Sequence, residues 1–174
     1  MPIGRSGYSL GYFDPTQIVG MVGDIRPTAG LGEIAPVRGK TYMYVQFDNG
    51  VGNIAAVAGQ ACYWRDLNNF IVTSDVSDSL SGATELAFCA GVFLYAMTDL
   101  YYGWIQCGGV ALNVKLSGAG AQGQILIPSQ TDGVLTTVAT GAVTSAQAGA
   151  QRVGTQIAAA VATLATCYLT VREA

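Results

Sequence analysis

The stretch Thr41-Tyr42-Met43-Tyr44-Val45-Gln46-Phe47-Asp48-Asn49-Gly50 decides the fold class. Met43, Val45 and Phe47 fall on one side of a two-residue period and Tyr42, Tyr44 and Gln46 on the other, which is the pattern of a strand with one face on a core. Asp48-Asn49-Gly50 then supplies residues that tolerate the left-handed backbone of a tight turn. The same reading extends downstream to Gln60–Trp64, Phe70–Thr73, Phe88–Ala96, Tyr101–Cys107, Val110–Leu116, Gln124–Ile127, Val134–Val138 and Thr166–Val171. In Val110–Leu116 the alternation predicts Val110, Leu112, Val114 and Leu116 inward and Ala111, Asn113 and Lys115 outward. Asn68-Asn69, Gly108-Gly109, Gly118 to Gly123 and Asp132-Gly133 read as turns between these strands. Short strands at such spacing predict an all-β sandwich or barrel over residues 41–174.

Upstream, residues 1–40 hold glycine at 4, 7, 11, 20, 23, 30, 32 and 39 and proline at 2, 15, 27 and 36. These breakers forbid a long helix, while Tyr8, Tyr12, Phe13, Ile18, Val19 and Met21 are too apolar for a solvated linker. An extended N-terminal arm is expected, laid on a neighbouring subunit or on the chain's own body. Tyr8, Tyr12, Phe13, Ile18 and Met21 are its candidate partner-binding residues. No apolar run suited to a signal peptide occurs at this end, so none is expected.

Two segments echo each other. Gly59-Gln60 precedes an apolar run, a polar turn and Phe70-Ile71-Val72-Thr73, and Gly123-Gln124 precedes Ile125-Leu126-Ile127, Asp132-Gly133 and Val134-Leu135-Thr136. Each reads as a hairpin, and a duplication is one explanation. Ala139–Gly149 reads as a long loop, with a short Ala-rich helix near Ser145–Gln151 as the alternative. Val153–Val171 has no charge, yet its threonines and its terminal period of two mark a strand and not a membrane span.

Composition narrows the function. Of 174 residues 51% are apolar and 11% charged, with a net charge of −3, against roughly 25% charged residues in a typical soluble domain. So few charges suit a protein whose surface is covered by other subunits. Two lysines and a negative balance argue against a nucleic-acid groove. The absence of histidine excludes a Ser-His-Asp triad and His-based metal sites. Cys62, Cys89, Cys107 and Cys167 form no C-x-x-C pair and sit in apolar stretches, so buried thiols are expected.

Apparent motifs fail in context. Gly39-Lys40-Thr41 resembles the end of a P-loop, but Ile34 stands where the first glycine belongs and a strand follows. Gly118-x-Gly120-x-x-Gly123 matches the dinucleotide fingerprint literally, but Gln124–Ile127 is strand-like, so no helix N-terminus faces a pyrophosphate. Asp75-Val76-Ser77-Asp78 reads as a solvated loop. Tyr102 and Trp104 share a strand face and are expected in a core or subunit interface. No nucleophile–base pair can be assembled, so an enzyme is not expected, and no cofactor or metal is implied.

The order of these features resembles a known family. After the arm come a strand with its turn, Gly59-Gln60, Val72-Thr73-Ser74-Asp75, Ala90-Gly91-Val92, Tyr102-Gly103-Trp104-Ile105-Gln106 and Gly108-Gly109-Val110-Ala111. Gly123-Gln124-Ile125-Leu126 with Asp132-Gly133, then Val153-Gly154-Thr155-Gln156-Ile157-Ala158 and a final strand complete the series. Over residues 40–174 this is similar to the decoration, or head cement, proteins of tailed bacteriophages. The resemblance implies an arm followed by a small β-sandwich or β-barrel body, β-tulip-like in form. It implies a non-catalytic virion protein assembled in the host cytoplasm. Such a protein would bind the capsid surface as a homotrimer and clamp neighbouring subunits of the major capsid protein, with neither nucleic acid nor membrane as partner. A tail or fibre-base structural protein and a small β-barrel carbohydrate- or ligand-binding module are the alternatives.

Overall fold

The computed structural model describes residues 29–80, 87–139, 151–158 and 163–171. Among the described residues there is no α-helix. The strands are β1 (Ile34–Val37), β2 (Lys40–Phe47), β3 (Ala61–Asp66), β4 (Ile71–Thr73), β5 (Cys89–Phe93), β6 (Tyr102–Lys115), β7 (Ile125–Pro128), β8 (Leu135–Val138), β9 (Gly154–Gln156) and β10 (Leu164–Thr170), and Val76–Asp78 forms a 3-10 turn. The fold is all-β and contains a closed barrel. The reading of 139–151 as a loop or short helix falls almost entirely outside the described residues.

The barrel is the ring β2-β4-β3-β5-β6, closed by the antiparallel pairing of β6 with β2. Its one parallel contact is β2 with β4, where Phe47 lies opposite Val72. Closure removes the exposed edges that an open sheet of apolar strands would present. Met43, Val45, Phe47, Cys62, Trp64, Val72, Phe93 and Ile105 fill its core, and Phe47 meets Phe93 edge-on at 5.5 Å. β1 adds to β2 through a two-residue turn in which Arg38 (φ 49°) and Gly39 (φ 76°) both take the left-handed backbone. This turn occupies the place of the P-loop-like Gly39-Lys40-Thr41. β1 lies within the stretch read as arm. Its strand character was masked by Pro36, which an edge strand tolerates because one side needs no donor.

The 14-residue strand β6 belongs to two rings. Its first half pairs with β2 and β5, and its second half pairs with β10. From there the order continues β10-β9-β7-β8, and a parallel bridge between Leu135 and Leu116 returns to the end of β6. The second ring therefore repeats the connectivity of the first, with the second half of β6 in the place of β2. The details recur. Asp48 donates its amide to the Val72 carbonyl at 2.9 Å, and Ser117 donates to Leu135 at 2.8 Å. Gly59 (φ 82°) and Gly123 (φ 86°) each precede a glutamine whose Oε1 accepts an amide three residues back, from Val57 and Ala121, at 2.9 Å in both cases. The echo between Gly59-Gln60 and Gly123-Gln124 is thus a repeated supersecondary unit.

The rings share a wall. Ala61 and Tyr63 of β3 point into a second core with Leu126, Leu135, Cys167 and Leu169, while Cys62 and Trp64 of the same strand point into the barrel. The Tyr63 hydroxyl donates to the Val134 carbonyl at 2.6 Å and ties the two together.

Three expectations are corrected here. Gly108-Gly109 is not a turn, because β6 runs through it. Gly109 (φ 80°) lies so close to β2 that a Cβ would sit 2.3 Å from the Gly39 carbonyl oxygen. Val110–Leu116 does not keep one phase. Between Ala111 and Val114 three residue steps on β6 face two on β10, a bulge at which Asn113 adopts φ 56°. Val110 and Leu112 consequently face out and Ala111 faces in, while Val114 and Leu116 stay inside. Finally, β2 is not half-solvated, since Tyr42 and Tyr44 are buried like Val45 and Phe47.

Candidate interaction surface

The chemistry-bearing residues of the described chain are organised as structure. Asp75 is buried and is not the loop-surface residue its serine-rich context suggests. Its carboxylate accepts the Ser77 amide at 3.0 Å, the Ser77 hydroxyl, and the Gly52 amide at 2.8 Å. Burial pushes its pKa up, but these donors, with the Asp78 amide, outweigh burial and hold it below the usual carboxylate range. Asp78 and Asp48 both pair with Arg65, and Asp132 of the β7–β8 turn accepts the Val76 amide at 2.9 Å. The acidic segment therefore joins the two rings. Among the described residues no group of His, Cys, Asp or Glu could hold a metal ion.

Cys62, Cys89, Cys107 and Cys167 are buried thiols. Burial pushes Cys89 and Cys167 up to about 12 and raises Cys62, which Cys89 and Cys107 raise further. Thiolate is the reactive form, so a thiol reagent is expected to modify the native chain negligibly over hours and to modify it promptly in denaturant. A reducing agent is expected to leave the melting temperature unchanged; a fall of several degrees would contradict the reduced core.

Tyr102 and Trp104 are half-buried on the barrel wall, where both pack on Tyr44 with ring centroids at 6.5 and 5.1 Å. Gly118 to Gly123 is the β6–β7 connection, followed by strand β7. Tyr8, Tyr12, Phe13, Ile18 and Met21 lie outside the described residues. Val153–Val171 holds β9 and β10, and no helix among the described residues is long and apolar enough to cross a membrane.

The fold also leaves large apolar side chains exposed. On the outer face of the second ring Val110 lies opposite Tyr168, Tyr168 opposite Thr155, and Thr155 opposite Ile125. Leu112, Leu164 and Ile157 flank this row, and Leu112 retains 62% of its accessible surface. The face was missed in the sequence because the bulge at Asn113 reverses the phase of Val110 and Leu112. The helpful signal was Asn113 itself, a residue that tolerates positive φ inside an otherwise regular strand.

The site and fold together define a two-ring β protein with large apolar side chains exposed on the outer face of its second ring. No family model matches the chain, and no curated protein matches it. Among solved structures it aligns with the N base of the head fibre protein gp8.5 of bacteriophage phi29, at a TM-score of 0.48 and 9% identity, covering 78% of this chain and 98% of that one.

Proposed function

We propose that the chain is a structural protein of a tailed-phage virion that binds the outside of the head and stabilises contacts between major capsid subunits, without catalysis. The observation that carries this reading is the apolar face of the second ring, Val110, Leu112, Leu164 and Tyr168, in a chain with only 11% charged residues. A row of exposed large apolar side chains on one sheet face marks a surface suited to contact with other subunits. The motif order over residues 40–174, which resembles head decoration proteins, supports the capsid as the place of assembly. The N-terminal arm, with Tyr8, Tyr12, Phe13, Ile18 and Met21, serves as the clamp on a neighbouring subunit.

The test removes residues 1–28 and follows folding and binding separately. Circular dichroism is expected to retain the β signal, and co-sedimentation with undecorated capsids is expected to fall more than tenfold. Burial of three aromatics, at about 1.5–3 kcal/mol each, exceeds the 1.4 kcal/mol that a tenfold change requires. Light scattering of the full chain is expected to give a trimer. Unchanged co-sedimentation would exclude the arm as clamp. A full-length chain that ignores capsids, or labels a tail or fibre base in electron micrographs, would overturn the head assignment.

A further inference from the structure

The chain has two lysines, Lys40 and Lys115, far apart in sequence, and the fold brings both to one open groove of about 490 Å³. Lys40 begins β2, Lys115 ends β6, and Leu164 of β10 lies opposite Lys115. Leu112, which the bulge turns outward, and Leu164 are the exposed large apolar side chains of the lining, with Val92, Phe93 and Leu94 beside them. No carboxylate lines the groove among the described residues. Both ion pairs of the described chain belong to Arg65, with Asp48 and Asp78, so neither lysine has a carboxylate partner there. In a protein of net charge −3 this is a local positive site with an apolar floor. Two cations are too few for a nucleic-acid track, whose affinity grows with each phosphate neutralised.

We propose that this groove binds an extended acidic segment of a partner protein, with carboxylates on Lys40 and Lys115 and an apolar side chain seated between Leu112 and Leu164. Charge selects and orients the segment, and the leucines provide the contact that excludes water. The groove shares Leu112 and Leu164 with the apolar face on which the virion reading rests, so the acidic segment is read as part of whatever covers that face. The peptide test contains no capsid component, so the two readings fail separately.

The full chain is titrated into a fluorescein-labelled peptide of alternating Glu and Leu, followed by anisotropy, with Ser-Leu and Lys-Leu peptides in parallel. The Glu-Leu peptide is expected to bind best, and to weaken several-fold between about 0.05 and 0.5 M salt as the Debye length shortens. Lys40→Glu with Lys115→Glu is expected to weaken it roughly tenfold or more and to move the preference to the Lys-Leu peptide. Lys40→Met with Lys115→Met keeps the aliphatic stems and is expected to abolish the preference without reversing it, which tests the proposal should the reversed variant misfold. Arg152→Glu, in a separate hollow with Thr155 and Thr170, is expected to change nothing. Equal binding of Glu-Leu and Ser-Leu peptides, or unchanged affinity in both lysine variants, overturns the proposal. So does a lysine variant that alters the light-scattering mass, which would assign the groove to a second copy of the chain.

Discussion

Gly154→Ala is expected to lower the melting temperature by about 6–12 °C. Gly154 starts β9, which lies between β10 and β7. A Cβ there would sit 2.2 Å from the Tyr168 carbonyl oxygen and 3.1 Å from Leu169 Cα. Both obstacles are backbone, so no side-chain rotation relieves them, and one strand must move off the other. The movement opens the hydrogen bonds that β9 makes with β10 and β7. Overpacking of this kind costs about 3 kcal/mol, and in a chain of this length each kcal/mol shifts the midpoint by about 2–4 °C. Gly91 is its counterpart in the first ring, where a Cβ would lie 2.6 Å from the Gln106 carbonyl oxygen. Gly91→Ala is expected to act in the same sense, less strongly. Gly118, with open space around it, is the control and is expected to stay within about 0.5 kcal/mol of wild type. Thermal melts by circular dichroism decide the matter: a shift at Gly154 no larger than at Gly118 would mean that β9 is not held between its neighbours.

The sequence discloses strands more readily than their assembly. Alternation in Thr41–Phe47 and Thr166–Val171 marks a core face directly, and Cys167 and Leu169 are buried as that period requires. Val110–Leu116 alternates just as cleanly, yet half of it is out of phase, because a bulge adds a residue without changing the hydrophobic pattern. Gly108-Gly109 reads as a turn for a related reason. Glycine permits a turn, but here it permits close approach to the Gly39 backbone inside a long strand. The second ring was visible only as an echo between Gly59-Gln60 and Gly123-Gln124. That echo is legible because each glycine takes positive φ and each glutamine satisfies an amide, roles that few other residues fill. Lys40 and Lys115 come to line one groove only through the pairing of β6, and no local pattern announces long-range pairing. The serine-rich surroundings of Asp75 described a loop correctly and its burial wrongly, since the donors that make burial tolerable are the amides of Gly52 and Ser77.

Asp75 gives the second large effect and a characteristic pH signature. Its carboxylate accepts from Gly52, Ser77 and the Ser77 hydroxyl, and hydrogen bonds to a charged group contribute about 1.5–3 kcal/mol each in favourable cases. Asn at this position has one acceptor oxygen, and its NH2 would meet an amide or hydroxyl that is already a donor. Asp75→Asn is therefore expected to destabilise by about 3 kcal/mol near pH 7, a fall of roughly 6–12 °C in melting temperature. The folded-state pKa of Asp75 is below its ordinary value of 3.8, so the unfolded chain takes up a proton first as pH falls. The contribution is then complete above the unfolded pKa, declines as pH drops below 3.8, and is lost once pH passes the folded value. Asn does not titrate, so the wild-type advantage is expected to be flat from pH 7 to about 5 and to shrink toward pH 3. Asp66, also held low, first by the Asn69 side chain, titrates in the same sense in both proteins and cancels in the comparison. Urea unfolding of the pair across this range reads the difference directly. A gap that stays constant down to pH 3 would show that the loss comes from altered packing around Asn and not from the ionised carboxylate that joins Gly52 to the 3-10 turn.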